Sequence, residues 1–78
     1  MEYNKDKIDE MVLALLYLTT FGDEGMKRSW KGYDWDVMDR LHEKGYISDH
    51  KNKNKSVMMT EEGALLSEKL FKKHFAKE

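Results

Sequence analysis

Two stretches of the chain carry side chains able to do chemistry. In DHKNKNK, residues 49–55, Lys51, Lys53 and Lys55 alternate with Asn52 and Asn54. A loop built this way lays ammonium groups along a phosphate backbone, a contact that positions nucleic acid without reading its sequence. The same residues also suit a plainer role, keeping a loop solvated and blocking strand-edge pairing. In MKRSWKGYDW, residues 26–35, Trp30, Tyr33 and Trp35 lie close to Lys27, Arg28 and Lys31. Flat rings beside cations form a stacking platform for bases or for a partner's side chains. The competing use of such rings is to supply area to a small core.

Other chemistries lack their residues. His42, His50 and His74 are scattered and form no HExxH pair; Asp39 and His42 share a helix face, and two residues make a weak metal signal. No serine lies in a GxSxG context and no glycine run resembles a phosphate loop. Glu61 and Glu62 diverge on a helix and have a capping role already. The expectation is a protein that is not an enzyme and takes no metal or cofactor. The chain has no cysteine, hence no disulfide or thiolate site, which fits a reducing compartment and makes the cytoplasm the expected location.

Seventy-eight residues imply one domain, spanning 1–78. At this size about 60% of the unfolded surface is buried, so one small core must suffice unless a partner adds area. The charged start, MEYNKDKIDE, is unlike a signal peptide, and the apolar run from Met11 to Leu18 is shorter than the roughly 20 residues that span a bilayer. No membrane role is expected. The net charge of −1 hides an asymmetry: residues 1–39 hold nine acidic and five basic side chains, residues 40–78 six acidic and nine basic. The global balance argues against a dedicated nucleic-acid binder, while the lysine loop argues for one.

These residues need elements to position them. In KIDEMVLALLYLTTF, Ile8, Met11, Val12, Leu15 and Leu18 recur at helical spacing, with Leu13, Leu16 and Tyr17 widening the stripe. Asn4 is the expected N-cap and Gly22 the expected stop. GDEGMKRSWKG, residues 22–32, reads as a glycine-rich loop with room for a helical turn or a short strand at Met26–Trp30. A second helix follows from Asp34 to Lys44, with Asp34 as N-cap, Tyr33 stapled to Met38, and Val37, Met38 and Leu41 facing the core. Gly45 suits a left-handed stop, with Tyr46 making the contact beyond it.

Tyr46–Ser48 and Ser56–Thr60 then read as a two-stranded hairpin around the lysine loop, with Val57 and Met59 on one face, Met58 on the other and Ile47 opposite. Thr60 is placed to end the strand and cap a helix running from Glu61 to about Phe75. Gly63 at its third position permits close approach of another backbone. Leu66, Leu70 and His74 form that helix's stripe, widened by Leu65, Phe71 and Phe75.

The texts LHEKGYIS at 41–48 and VMMTEEGALL at 57–66 resemble the wing region of winged-helix regulators of the MarR and PadR kinds, L-x-x-x-G-x-I followed by x-L-T-x-x-G, with Met59 replacing the leucine. Across its length the chain also resembles a family of small stand-alone bacterial proteins of unknown function, most clearly in WKGYDWDVMDRLHEKGYISD. The resemblance implies an α+β, winged-helix-like fold of three main helices and a two-stranded β-hairpin wing. It further implies contact with duplex DNA through the wing residues Lys51, Asn52, Lys53 and Lys55, and through Arg40 and Lys44 on the helix placed to read the major groove. That helix carries four acidic and two basic side chains, a surface that a phosphate-lined groove repels. GDEGMKRSWKG is also short for the helix that precedes a recognition helix. The alternative is a protein-interaction module forming a homodimer through the first helix, at Met11–Leu18, or through the last.

Overall fold

A computed structural model describes residues 1–23 and 26–77. The first helix, α1, spans Lys5–Leu18, and the Asn4 side chain accepts from the Lys7 amide as the expected N-cap. It ends before Gly22 because two threonines intervene. The hydroxyl of Thr20 donates to the Leu16 carbonyl at 2.7 Å and that of Ser29 donates to the same oxygen at 2.8 Å. An acceptor orphaned at the helix end is thus satisfied by the neighbouring strands rather than by another turn of helix. Strand β1, Thr20–Phe21, pairs antiparallel with β2, Arg28–Trp30, and Gly22 lies in the connection. A short strand is one of the two forms expected within Met26–Trp30. Among the described residues no helix stands between α1 and α2, so the position of the first helix of a helix-turn-helix is taken by a β-hairpin.

Helix α2 spans Trp35–Glu43, with Val37, Met38 and Leu41 buried and Tyr33 packed against the same core. Asp34 occupies the N-cap position but its side chain makes no capping hydrogen bond. Gly45, at φ +83°, ends the helix as expected. The Tyr46 amide donates to the Leu41 carbonyl and the Gly45 amide to the His42 carbonyl, the paired bonds of a Schellman stop.

Strand β3, Ser56–Met58, completes a three-stranded antiparallel sheet of order β1-β2-β3. This refines the expected two-stranded wing: β3 takes β2 as its main partner, while Tyr46–Ser48 contributes an isolated bridge, Ile47 to Met59, flanked by two backbone hydrogen bonds. The alternation holds, with Val57, Met59 and Ile47 buried and Met58 outward. Helix α3, Glu61–Phe75, starts where Thr60 Oγ1 accepts from the Gly63 amide and donates to the Gly45 carbonyl. Gly63 packs so tightly on Tyr46 that a Cβ would overlap its carbonyl.

The core is one cluster in which α1 packs chiefly on α3, with α2 and the inner sheet face closing it. The stripe on α1 is rotated from expectation: Asp9, Leu13, Ala14 and Leu16 are buried, whereas Leu18 is exposed. The unbroken apolar run Met11–Leu18 leaves the orientation of this half of the helix to packing, and the partner of Asp9 selects the face. On α3, Gly63, Ser67 and Leu70 face inward, Leu66, Phe71 and His74 are half-buried, and Leu65 and Phe75 are exposed. No helix among the described residues is long and apolar enough to cross a membrane.

Candidate nucleic-acid interface

The six residues assigned to nucleic-acid contact fall into two groups. Arg40 on α2 and Lys44, the C-cap that follows its last turn, both point back at α1. Arg40 donates to Asp9 through Nε and Nη2 at 2.7–3.0 Å, and Lys44 Nζ lies 3.0 Å from Asp9 Oδ2 and 3.4 Å from Asp6. Burial pushes the Asp9 carboxyl up, but the hydrogen bonds and charges of Arg40 and Lys44 outweigh it and hold the carboxyl below its ordinary range. The Asp9 hydrogen bonds correspondingly raise Arg40 and Lys44. Both cations are therefore engaged in structure. Lys44 also lines an open cleft of about 470 Å³ among α1, α2 and α3, whose lining includes Leu13, Leu41, Leu66 and Leu70.

Lys51, Asn52, Lys53 and Lys55 form the second group, on an exposed loop held from three sides. The Lys31 ammonium donates to the His50 carbonyl at 2.6 Å and to the backbone and side-chain oxygens of Asn52 at 3.0 and 3.1 Å. The ring of His50, 3% exposed, meets Asp39 through Nε2 at 2.6 Å and the Trp35 ring edge-on with centroids 4.5 Å apart. That hydrogen bond is the main reason the Asp39 carboxyl lies below its ordinary range. Asp49 accepts from the Lys51 amide, and Asn52 Oδ1 accepts from the Asn54 amide, so the turn is braced internally. Asn52 is thus an architectural residue of the loop. Lys51 Nζ lies 3.5 Å from Asp39. Among the described residues no carboxylate is within ion-pair range of Lys53 or Lys55.

The aromatic trio separates. Trp30 packs on Phe21, Trp35 on His50, and Tyr33 sits half-buried against the core, where burial raises its hydroxyl. Both tryptophans are exposed, at 53% and 58%, so neither supplies the core area that was the plainer reading of these rings.

Sheet register reveals a surface that sequence reasoning missed. Thr20, Ser29 and Val57 form one row facing inward, while Phe21, Arg28 and Met58 form the next row on the outer face, followed by Trp30 opposite Ser56. Arg28 is tied across the strand by Nε to Ser56 Oγ and Nη2 to the Ser56 carbonyl. The paired strands with their flanks, residues 26–31 and 51–58, hold six basic side chains and no acidic one, whereas the rest of the chain holds eight basic and fifteen acidic. Each segment showed its lysines in the sequence; only their pairing puts the six together.

The uncharacterized protein y4hR of Sinorhizobium fredii (strain NBRC 101917 / NGR234) is 49% identical over 77 residues, covering 99% of this chain and all of that protein. No solved structure matches. A family model described as a domain of unknown function matches residues 4–77, and with that extent of match the chain belongs to this family, DUF6429.

Proposed function

We propose that the protein is a non-catalytic nucleic-acid-binding module, of winged-helix-like descent, whose contact surface is the β2–β3 ribbon and the lysine loop at its end rather than α2. The observation that carries this reading is the segregation of charge: six cations and no anion on two paired segments of a chain that is otherwise strongly acidic. Such a stripe neutralises phosphates and releases their counterions, and the acidic remainder orients the approach. Helix α2 is ill-suited to a groove, since Arg40 and Lys44 are bound to Asp9 while Asp36 and Glu43 are exposed.

The test is fluorescence anisotropy with labelled single-stranded and duplex oligonucleotides across a salt series. Binding is expected to weaken with salt, and replacing Lys51, Lys53 and Lys55 together by Ala should lower the log K against log salt slope by about two to three. Absence of binding to either form at 50 mM salt and high micromolar protein would overturn the reading.

A second reading, self-association, is favoured by the exposure of Leu18 on α1 and of Leu65 and Phe75 on α3. Sedimentation equilibrium of the wild-type chain beside Leu18→Glu and Leu65→Glu tests it: a dimer dissociated by either change supports it, and a monomer throughout removes it.

A further inference from the structure

We propose that the outer face of the sheet is a stacking platform for unpaired bases, so that the nucleic acid this domain takes is single-stranded. The proposal rests on the nucleic-acid reading above and adds to it the form of the ligand.

Phe21 and Trp30 come from neighbouring strands and project from the same face of the sheet, diagonal to each other across Arg28. Their centroids lie 5.3 Å apart with planes inclined at 36°, so the two rings support one another as a preformed ledge. They remain 43% and 53% exposed, and Met58, 36% exposed, extends the apolar surface on the third strand. Large aromatics exposed side by side on one sheet face are costly to leave in water, and α1 does not cover them: it packs on β2 from the opposite side, where Ser29 reaches the Leu16 carbonyl.

The cations decide what the ledge fits. Arg28 lies within the platform, held by Ser56, and Lys27 immediately precedes the strand. Trp30 stands at the end of the ribbon nearest the loop, where the Lys31 amide donates to the Lys55 carbonyl, so the rings run directly into the lysine-bearing segment. Among the described residues the nearby acids are Asp23 in the β1–β2 connection, Asp49 at the loop base, whose carboxylate accepts from the Lys51 amide, and Asp39, which meets His50 and lies 3.5 Å from the Lys51 ammonium. Aromatic rings interleaved with cations along a ribbon match a strand of splayed bases with its phosphates alongside. A duplex hides its base faces inside the stack and leaves these rings without a partner. A second copy of this platform would bring Arg28 against Arg28, which disfavours face-to-face self-pairing.

The test uses the full chain with Trp35→Phe, so that Trp30 is the sole indole. It is titrated with a labelled 15-nucleotide deoxythymidine oligomer and with a 15-base-pair duplex at 50 mM salt. Tighter binding of the single strand with quenching of Trp30 emission is expected. In the Trp35→Phe background, Phe21→Ala and Trp30→Ala, read through the labelled oligomer, should each weaken single-strand binding about 5- to 100-fold, with Trp30→Phe retaining most of it. Both residues are exposed, so the variants should fold, which far-ultraviolet dichroism checks. Equal binding of the two forms, with the ring variants unaffected, would overturn the platform while leaving the phosphate-contact reading intact. Binding of neither form would remove both. Unchanged nucleic-acid affinity with a shift in sedimentation on Trp30→Ala would overturn it in favour of a protein partner.

Discussion

Arg40 grips Asp9 side-on: Nε and Nη2 reach the two carboxylate oxygens at 2.7–3.0 Å, on a residue only 1% exposed at the α1–α2 contact. The Lys44 ammonium completes the arrangement from one helical turn away. Bidentate geometry of this kind is stronger than a single contact and directional enough to set the rotation of α1 against α2. It explains why the most apolar helix of the chain buries an aspartate and exposes Leu18.

Removing one partner leaves a buried charge underpaired. Arg40→Leu is expected to destabilise the fold by about 2–3 kcal/mol, below the range for a fully buried pair because Lys44 remains and Arg40 is itself a quarter exposed. Urea unfolding of Arg40→Leu, Asp9→Leu and the double variant checks this. The double variant should recover part of the summed loss, and strict additivity would show that the pair is not coupled.

The same cluster sets an acid limit. The folded-state pKa of Asp9 lies below the unfolded value of about 3.9, so the stability it contributes is fully present above that value. It is lost as pH falls through the folded pKa. The urea midpoint should hold from pH 7 to about 5 and decline below about 4. Asp9→Asn should start lower at neutral pH and decline less steeply, and identical acid profiles would count against the assignment.

The joint between α2 and α3 depends on the Gly63 backbone meeting the Tyr46 carbonyl. Gly63→Ala forces that contact apart and is expected to cost at least about 2 kcal/mol, despite alanine's better helix propensity. Thr60→Ala, which loses the cap to the Gly63 amide and the bond to the Gly45 carbonyl, should cost about 1–2 kcal/mol. Thermal melts decide it, and a stabilised Gly63→Ala would show that the helix moves away at no cost.

That joint was legible in the sequence because its signals are local. Gly45, Thr60 and Gly63 each occupy a position that demands their residue type, and the spacing of Val57, Met58 and Met59 fixes which faces inward. What could not be read was long-range. Nothing within Arg28–Trp30 announces that it pairs with Ser56–Met58, where Ser29 faces Val57 twenty-eight residues on. Arg40 and Lys44 look like free groove-facing cations until a helix begun thirty residues earlier presents Asp9. The apolar run Met11–Leu18 goes all round α1 and likewise carries no periodic signal strong enough to fix its rotation.

The lysine loop is expected to be rigid for its composition, and Lys31 is the reason. Its ammonium meets three oxygens, from His50 and Asn52, that would otherwise face solvent on a polar seven-residue segment. Lys31→Met keeps the aliphatic stem and removes those bonds, so global stability should fall by about 1 kcal/mol or less, since exposed hydrogen bonds add little. Local protection should fall more: amide exchange at 50–55 is expected to accelerate several-fold while exchange at Leu13 and Leu41 changes only with the global term. Should exchange in the loop stay unchanged, the bracing by His50 and Asp39 alone suffices. If a preformed loop also aids phosphate contact, Lys31→Met will weaken oligonucleotide binding beyond Lys53→Ala, which removes one cation of the same surface that braces nothing among the described residues.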